Sequence, residues 1–326
     1  MIRAVGIVNQ KLKDMNIRIG FWLLCLISLV ACKGKTSGVQ DTLFSGVIRV
    51  AVDETLSPLA EEEIAVFEAQ YNQTGIVPIY TSEVDAITLL LRDSVRWVLA
   101  TRPLSGDELE SFHSNKFFPE SIKIATDGVA LIVNRQNADS IFNVSTLKKI
   151  FSGEITRWNQ LSADSKLGEI QVVFDHRNSS TVRYVLDSIC GRGNLSDRCH
   201  AAGTNRDVIE YVTRTPGAMG VIGVNWISDE QDSLCRDFRK EIQVARISRA
   251  ELPTYGNSYQ PYQYYLYTGQ YPLSRDIYIL LNDPRSALPT GLTSFFAGAR
   301  GQRIILKAGL LPATMPVNIV NVRDQL

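Results

Sequence analysis

The stretch "VVFDHRNSSTVRYVLDSI", residues 172–189, changes rhythm in its middle. Val172, Val173 and Phe174 are a short β-forming run that stops at Asp175. From Val182 onward the spacing is helical, with Val182, Val185, Leu186 and Ile189 on one face. Between the two lie three successive hydroxyl residues, Ser179, Ser180 and Thr181, flanked by Arg177 and Arg183. Strand, polar turn and helix in succession form the repeating unit of an α/β sheet.

The same unit recurs on both sides. "GVIRVAVD" (46–53) is strand-like and is followed by "PLAEEEIAVFEAQY" (58–71), where Ala60, Ile64, Phe67 and Tyr71 share a helical face. "GIVPIY" (75–80) precedes "EVDAITLLLRD" (83–93). "SVRWVLAT" (94–101) precedes "LSGDELESF" (104–112), in which Ser105 and Glu108 have capping-box spacing. Downstream, "DGVALIVN", "VSTLKKIFSG", "EIQVVF", "NRDVIEYVTRT" and "AMGVIGVNWI" continue the alternation without internal repeats or low-complexity tracts. The chain has 326 residues, more than one compact core usually holds, so two lobes are expected.

Hydroxyls occupy four of the strand-to-helix turns. Thr55 and Ser57 follow the first strand, with Pro58 placed to start its helix. Thr81 and Ser82 follow the second, Thr101 and Arg102 the third, and Ser179 to Thr181 the strand at 172–174. Such turns lie at the carboxyl ends of strands, where α/β sheets bind ligands. Any one of them is explained by N-capping. Several on one chain, two with arginine, point to a small tetrahedral anion held by hydroxyls, backbone N–H groups and guanidinium.

The first 31 residues read as a secretion leader: Arg3, Lys11, Lys13 and Arg18 precede "IGFWLLCLISLVA". That run is short for a membrane span, which takes roughly 20 apolar residues; an uncleaved anchor helix is the other reading. It ends in "LVAC", which resembles a bacterial lipobox and would make Cys32 the lipidated first residue, leaving 32–43 as a tether. The expected location is the periplasm or cell surface, bound to the membrane through that lipid. Removing the leader takes away four basic residues and one acidic one from a chain of zero net charge, so the mature protein is mildly acidic and no nucleic-acid partner is expected. An oxidising compartment makes Cys190 and Cys199, in "CGRGNLSDRC", a possible disulfide, with all thiols reduced as the alternative. The three histidines, His113, His176 and His200, lack metal-ligand spacing, and neither metal nor cofactor is expected. His176 precedes Ser179 and Ser180 without a Gly-rich elbow, which argues against a hydrolase. Trp158 is read as structural, and "YQPYQYYLY" (259–267) as aromatic packing in an alternating strand or near a hinge.

These residues carry a family resemblance. "TLSPL" (55–59), "ATRPLSGDE" (100–108), "DGVALIVN", "LKKIFSGEITRWNQL" (147–161), "SST" with Arg183, "PGAMGVIGVNWI", "YPLSRDIYILL" (271–281) and "GQRIILKAGLLP" are similar, in order, to segments of the periplasmic phosphate-binding proteins of ABC transporters. The resemblance implies a two-lobed periplasmic binding protein-like α/β fold of type II, each lobe a mixed sheet flanked by helices. Lobe one would be 44–127 with 250–326, lobe two 128–249, and the hinge crossings would fall near Asp127 and between Val244 and Tyr271. It implies phosphate as ligand, an ABC permease as partner, a monomer and no covalent chemistry. Carried over residue by residue, the ligand set is Thr55, Leu56, Ser82, Arg102, Arg177, Ser179, Ser180, Thr181 and Arg183. Three departures stand out: Ser180 replaces the glycine of the family's S-G-T turn, Asp175 stands where an arginine is common, and Arg102 stands where some members have an aspartate. Asp175, Glu83 and Glu54 are candidate acceptors in its place. Another oxyanion (sulfate, molybdate or a phosphonate), or a surface lipoprotein with a partner-binding or sensory role, remain alternatives.

Overall fold

The computed structural model describes residues 41–228 and 233–314. The leader, Cys32 and most of the tether therefore lie outside the described residues. Within them, no helix is long and apolar enough to cross a membrane.

The first segments fold as their patterns dictate. Strand β1 (Gly46–Asp53) leads through a 3-10 turn (Glu54–Leu56) into helix α1 (Ser57–Gln70), with Pro58 in its first turn. Helix α1 buries Leu59, Ala60, Ile64 and Phe67, one stripe at helical spacing. Full burial of a side chain such as Phe67 contributes about 1.5–3 kcal/mol. The same stripe holds Glu63, whose carboxylate oxygens are buried without a hydrogen bond; burial pushes its carboxyl up to about 9, so it sits in the core as a neutral acid. Strand β2 (Thr74–Thr81) runs parallel to β1, as a helical crossover requires. Helix α2 (Glu83–Leu91), strand β3 (Trp97–Ala100) and helix α3 (Gly106–Ser114) follow, and the Ser105–Glu108 capping box closes the start of α3.

Strand β4 (Glu120–Asn134) decides the architecture, because its two ends have different partners. Residues 120–128 pair antiparallel with β11 (Ser274–Leu281) and, at Ala125 and Thr126, with β12 (Leu311–Pro312). Residues 129–134 pair instead with β8 (Ala218–Gly223) and β9 (Ile242–Val244). The strand order is β2-β1-β3-β11-β4-β8-β6-β7, where β6 is Gln171–Phe174 and β7 is Cys199–Ala201. A separate pair joins β5 (Ile141–Asn143) to β10 (Arg246–Ser248). The sheet thus has two halves, with β4 passing from one to the other at Asp127, Gly128 and Val129.

That passage is crowded. A Cβ on Gly128 would lie 2.8 Å from the Cβ of Pro261, so only glycine lets residue 261 approach the strand. Tyr271 Oη donates to the Val129 carbonyl at 2.7 Å, and Val129 N–H donates to the Leu273 carbonyl at 2.8 Å. Leu266, Tyr271 and Leu273 pack with Val129, Leu131 and Val133.

The remaining helices are α4 (Val144–Ser152), α5 (Ser180–Tyr184), α6 (Asn205–Arg214), α7 (Ser233–Glu241), α8 (Gln263–Tyr267), α9 (Leu288–Ala297) and α10 (Ala299–Lys307). Trp158 is fully buried and its Nε1–H donates to the Gly217 carbonyl at 3.0 Å, the structural role expected of it. Two pairs of alternatives narrow. The aromatic run is not an alternating strand: its residues 263–267 form helix α8, Pro261 packs against Gly128, and Tyr262, Tyr264 and Tyr267 are about half exposed. Cys190 and Cys199 are free thiols: Cys190 packs among Val185 and Ile189 as an apolar residue, and burial pushes the Cys199 thiol up to about 11.

Candidate anion site at the carboxyl ends of the strands

The hydroxyl-bearing turns come together, and side chains from the second half of the sheet reach the first. Thr55 Oγ1, after β1, lies 3.1 Å from Ser180 Oγ at the start of α5. Arg183 of α5 donates through Nε to Glu83 Oε2 at 2.5 Å and through Nη2 to Thr101 Oγ1 at 2.8 Å. Glu83 also accepts Thr101 N–H and Oγ1–H, both at 2.8 Å. Asn205, heading α6, donates its side-chain amide to Glu54 at 2.7 Å. The Thr55 carbonyl accepts Asn225 Nδ2 and Trp226 Nε1, both at 3.0 Å.

At the centre is Arg275 of β11, only 5% exposed. Its Nη1 donates to Ser180 Oγ at 2.8 Å, its Nη2 to Thr55 Oγ1 at 3.1 Å and its Nε to Asp127 Oδ2 at 3.0 Å. Asp127, fully buried, also accepts the Val224 N–H at 3.3 Å. A guanidinium this deep stays charged because burial is outweighed by Asp127, Asp53 and Glu83. It aims two N–H groups at one hydroxyl from each half.

The expected residues divide by role. Thr55, Ser179, Ser180 and Thr181 are buried and clustered. Ser179 caps α5 by accepting Val182 N–H at 3.3 Å, and Thr181 Oγ1–H donates to Asp175 Oδ1 at 2.6 Å. Leu56 is fully buried ahead of α1. Ser82 acts locally as the α2 cap, bonded to Asp85. Arg102 forms a two-pronged pair with Glu108, both bonds 2.7 Å, and reaches Glu83 only at 3.9 Å. Arg183 is spent on Glu83 and Thr101. Arg177 is exposed and lines a different cavity, of about 370 Å³, with Phe174, Cys199 and His200. The two-residue offset from Asp175 carries it out of the cluster.

Arg275 is not among the residues the sequence points to as ligands, although it lies in "YPLSRDIYILL". The available signal was a charged residue inside the apolar strand "SRDIYILL", since a charge there is buried only when paired. Asp53 and Asp127, also charges at the ends or middle of apolar strands, carry the same signal.

The cluster holds more acid than base. Burial, reinforced by Glu83, pushes Asp53 up to about 7, with Arg275 opposing. Burial also raises Glu54 to about 7 and lifts Asp175, against the hydroxyls of Thr181 and Ser179. Burial works on Glu83 too, but Arg183 and Thr101 outweigh it and hold that carboxyl below its ordinary value. Among the described residues no group of His, Cys, Asp or Glu is arranged to hold a metal ion. A second open cavity of about 370 Å³, between Val224, Pro261 and Leu306, contains none of these residues. Space lies there, but the convergent buried donors lie at Arg275.

A sheet in two halves, with donors from both meeting at the strand ends, defines a two-lobed binding protein of the periplasmic type. The PBP superfamily domain matches residues 35–300, and the chain belongs to that superfamily. The phosphate-binding protein PstS of Staphylococcus saprophyticus is 25% identical over 198 residues, which are 60% of this chain and 57% of that protein. PstS of Staphylococcus aureus is 21% identical over 257 residues, 78% of this chain and 74% of its own length. An ABC-type phosphate transport receptor from Vibrio cholerae superposes with a TM-score of 0.60 at 19% identity, covering 82% of this chain and 100% of its own. A phosphate-bound structure from Clostridium perfringens gives 0.67 at 18%, with the same coverage.

Proposed function

We propose that this protein captures inorganic phosphate in the cleft between its lobes and delivers it to an ABC permease, held at the membrane by a lipid on Cys32. The reading rests on one observation above the others: the buried, permanently charged Arg275 points at Thr55 and Ser180, one hydroxyl from each lobe. The relatives named as phosphate-binding support the choice of ligand. Lobe one comprises 44–127 and the segment from about 274, lobe two 128 to about 273, with β4 as one hinge strand and the chain near Leu273 as the other.

In this reading the anion enters between Thr55 and Ser180, replaces their direct contact, and takes hydrogen bonds from both hydroxyls and from Arg275. Ser179 and Thr181 hold the turn in place, and backbone N–H groups near Leu56 complete the grip. Ser82, Arg102, Arg177 and Arg183 do not touch the ligand. Closure follows because only the closed form offers both half-sites to one anion.

Calorimetric titration with phosphate, sulfate, molybdate and a phosphonate tests the reading. Phosphate should bind and sulfate should not. Ser180→Ala should weaken phosphate binding about tenfold, since a hydroxyl bond to a charged group contributes roughly 1.5–3 kcal/mol with partial compensation by water. Unchanged affinity would remove Ser180 from the ligand set, and silence with all four anions would leave a partner-binding role instead. Cys32→Ser should shift the protein from the membrane fraction to the soluble one; a variant that stays with the membrane overturns the anchor.

A further inference from the structure

Asp53 ends β1 directly beneath the proposed anion seat and is fully buried. Its Oδ1 accepts the Thr55 N–H at 3.1 Å, whereas its Oδ2 is buried beyond normal bonding distance of any donor among the described residues, with the Ser180 hydroxyl facing the carboxyl from farther off. The groups facing it are Glu83 from the start of α2, Asp175 from the end of β6, Arg275 from β11 and the Ser180 hydroxyl from α5. Glu54, its neighbour, differs: its oxygens are satisfied by the backbone N–H and side-chain amide of Asn205. Among the described cleft carboxyls Asp53 thus has the least-supported oxygen.

The two cations nearby are already engaged. Arg183 is paired with Glu83 and Arg275 with Asp127. An anion placed on Thr55, Ser180 and Arg275 adds negative charge within a few ångströms of Asp53 and Asp175. Like charges in a water-poor site do not both persist; the group with the least support takes a proton. Resting on the phosphate reading, we propose that the cleft takes up one proton from solvent with each anion, and that the Asp53 carboxyl holds it. The proton goes to Oδ2 and the carboxylate charge is lost. The Oδ2 acceptor becomes an O–H donor that can face an oxygen of the bound anion.

The pH dependence has a definite sign. Burial and Glu83 place Asp53 at about 7, so near neutrality the proton is added at little cost. Anion binding raises that value further. Affinity is therefore greatest below about pH 7, where Asp53 is already protonated, and falls as pH rises above it. With one proton per anion, the fall approaches tenfold per pH unit.

The test counts protons. Phosphate is titrated calorimetrically into the full chain about one unit above the Asp53 value, in two buffers of different ionisation enthalpy. Expected is an uptake near one proton per anion for the wild type and near zero for Asp53→Asn, whose affinity should vary less with pH. Binding of phosphate without proton uptake overturns the inference and leaves the phosphate reading standing. Equal uptake in Asp53→Asn overturns the assignment to Asp53. If phosphate does not bind, the phosphate reading fails, and the same count made with sulfate, which carries no proton at that pH, decides the proton question. Should Asp53→Asn not fold, an infrared difference spectrum of the wild type replaces it: anion addition should bring up the band of a protonated carboxyl, and its absence is decisive against the proposal.

Discussion

Arg275→Met is expected to weaken phosphate binding by at least about 100-fold and to destabilise the protein in the same stroke. Two charge-assisted bonds disappear from the proposed seat, each contributing about 1.5–3 kcal/mol, where 1.4 kcal/mol is a factor of ten. The second effect comes from Asp127, which keeps its place at 0% exposure and loses the one cation paired with it among the described residues. Removing one partner of a buried pair costs about 3–5 kcal/mol because the other charge is stranded. Burial already pushes Asp127 upward against Arg275, so in the variant the cost should shrink as pH falls and the carboxyl protonates. Adding Asp127→Asn should recover most of the stability and none of the affinity. Thermal melts and phosphate titrations of the single and double variants separate the two effects, and an Arg275→Met protein that binds phosphate like wild type would sink the site.

Glu83→Gln should loosen the empty protein. Glu83 is 1% exposed, and it ties Arg183 of one lobe to Thr101 of the other. The neutral amide keeps the shape but leaves Arg183 with the half-exposed Asp187, 3.8 Å away, as its remaining counter-charge among the described residues, at a cost of about 1–3 kcal/mol. Small-angle scattering of the ligand-free variant should show a more open molecule, and phosphate affinity should fall with the population of the closed form. The pair between Arg102 and Glu108 is the contrast: it lies within one lobe near the surface, where such pairs contribute about 0–1 kcal/mol. An unchanged scattering profile for Glu83→Gln would show that this bridge does not hold the lobes together.

Much of this architecture is readable in single segments. The stripe of Ala60, Ile64 and Phe67 predicts helix α1 and its buried face. Ser105 with Glu108 predicts the cap of α3. The run 172–174 and the hydroxyls after it predict β6 and the turn into α5, although the helix changes to a π turn at Val185–Ile189. The failures are as instructive. "YQPYQYYLY" lacks a clear period of two, and its residues 263–267 form helix α8, where Gln263 bonds the carbonyls of Leu306 and Leu310, more than forty residues away.

Strand, cap and helix signals are carried by residues within one or two turns of each other, and from these the α/β class, the order of units and the hydroxyl-rich turns follow. Which cation meets those hydroxyls does not, because it depends on strand register across a sheet. Arg177 and Arg183 lie beside Ser179 in the chain, yet one faces solvent and the other is held by Glu83. Arg275 is 95 residues from Ser180 and 220 from Thr55, and it reaches both because β11 is inserted between β3 and β4. Only a paired strand can hold a guanidinium there, since its burial requires Asp127 on the neighbouring strand and two hydroxyls from turns that the folded sheet brings together.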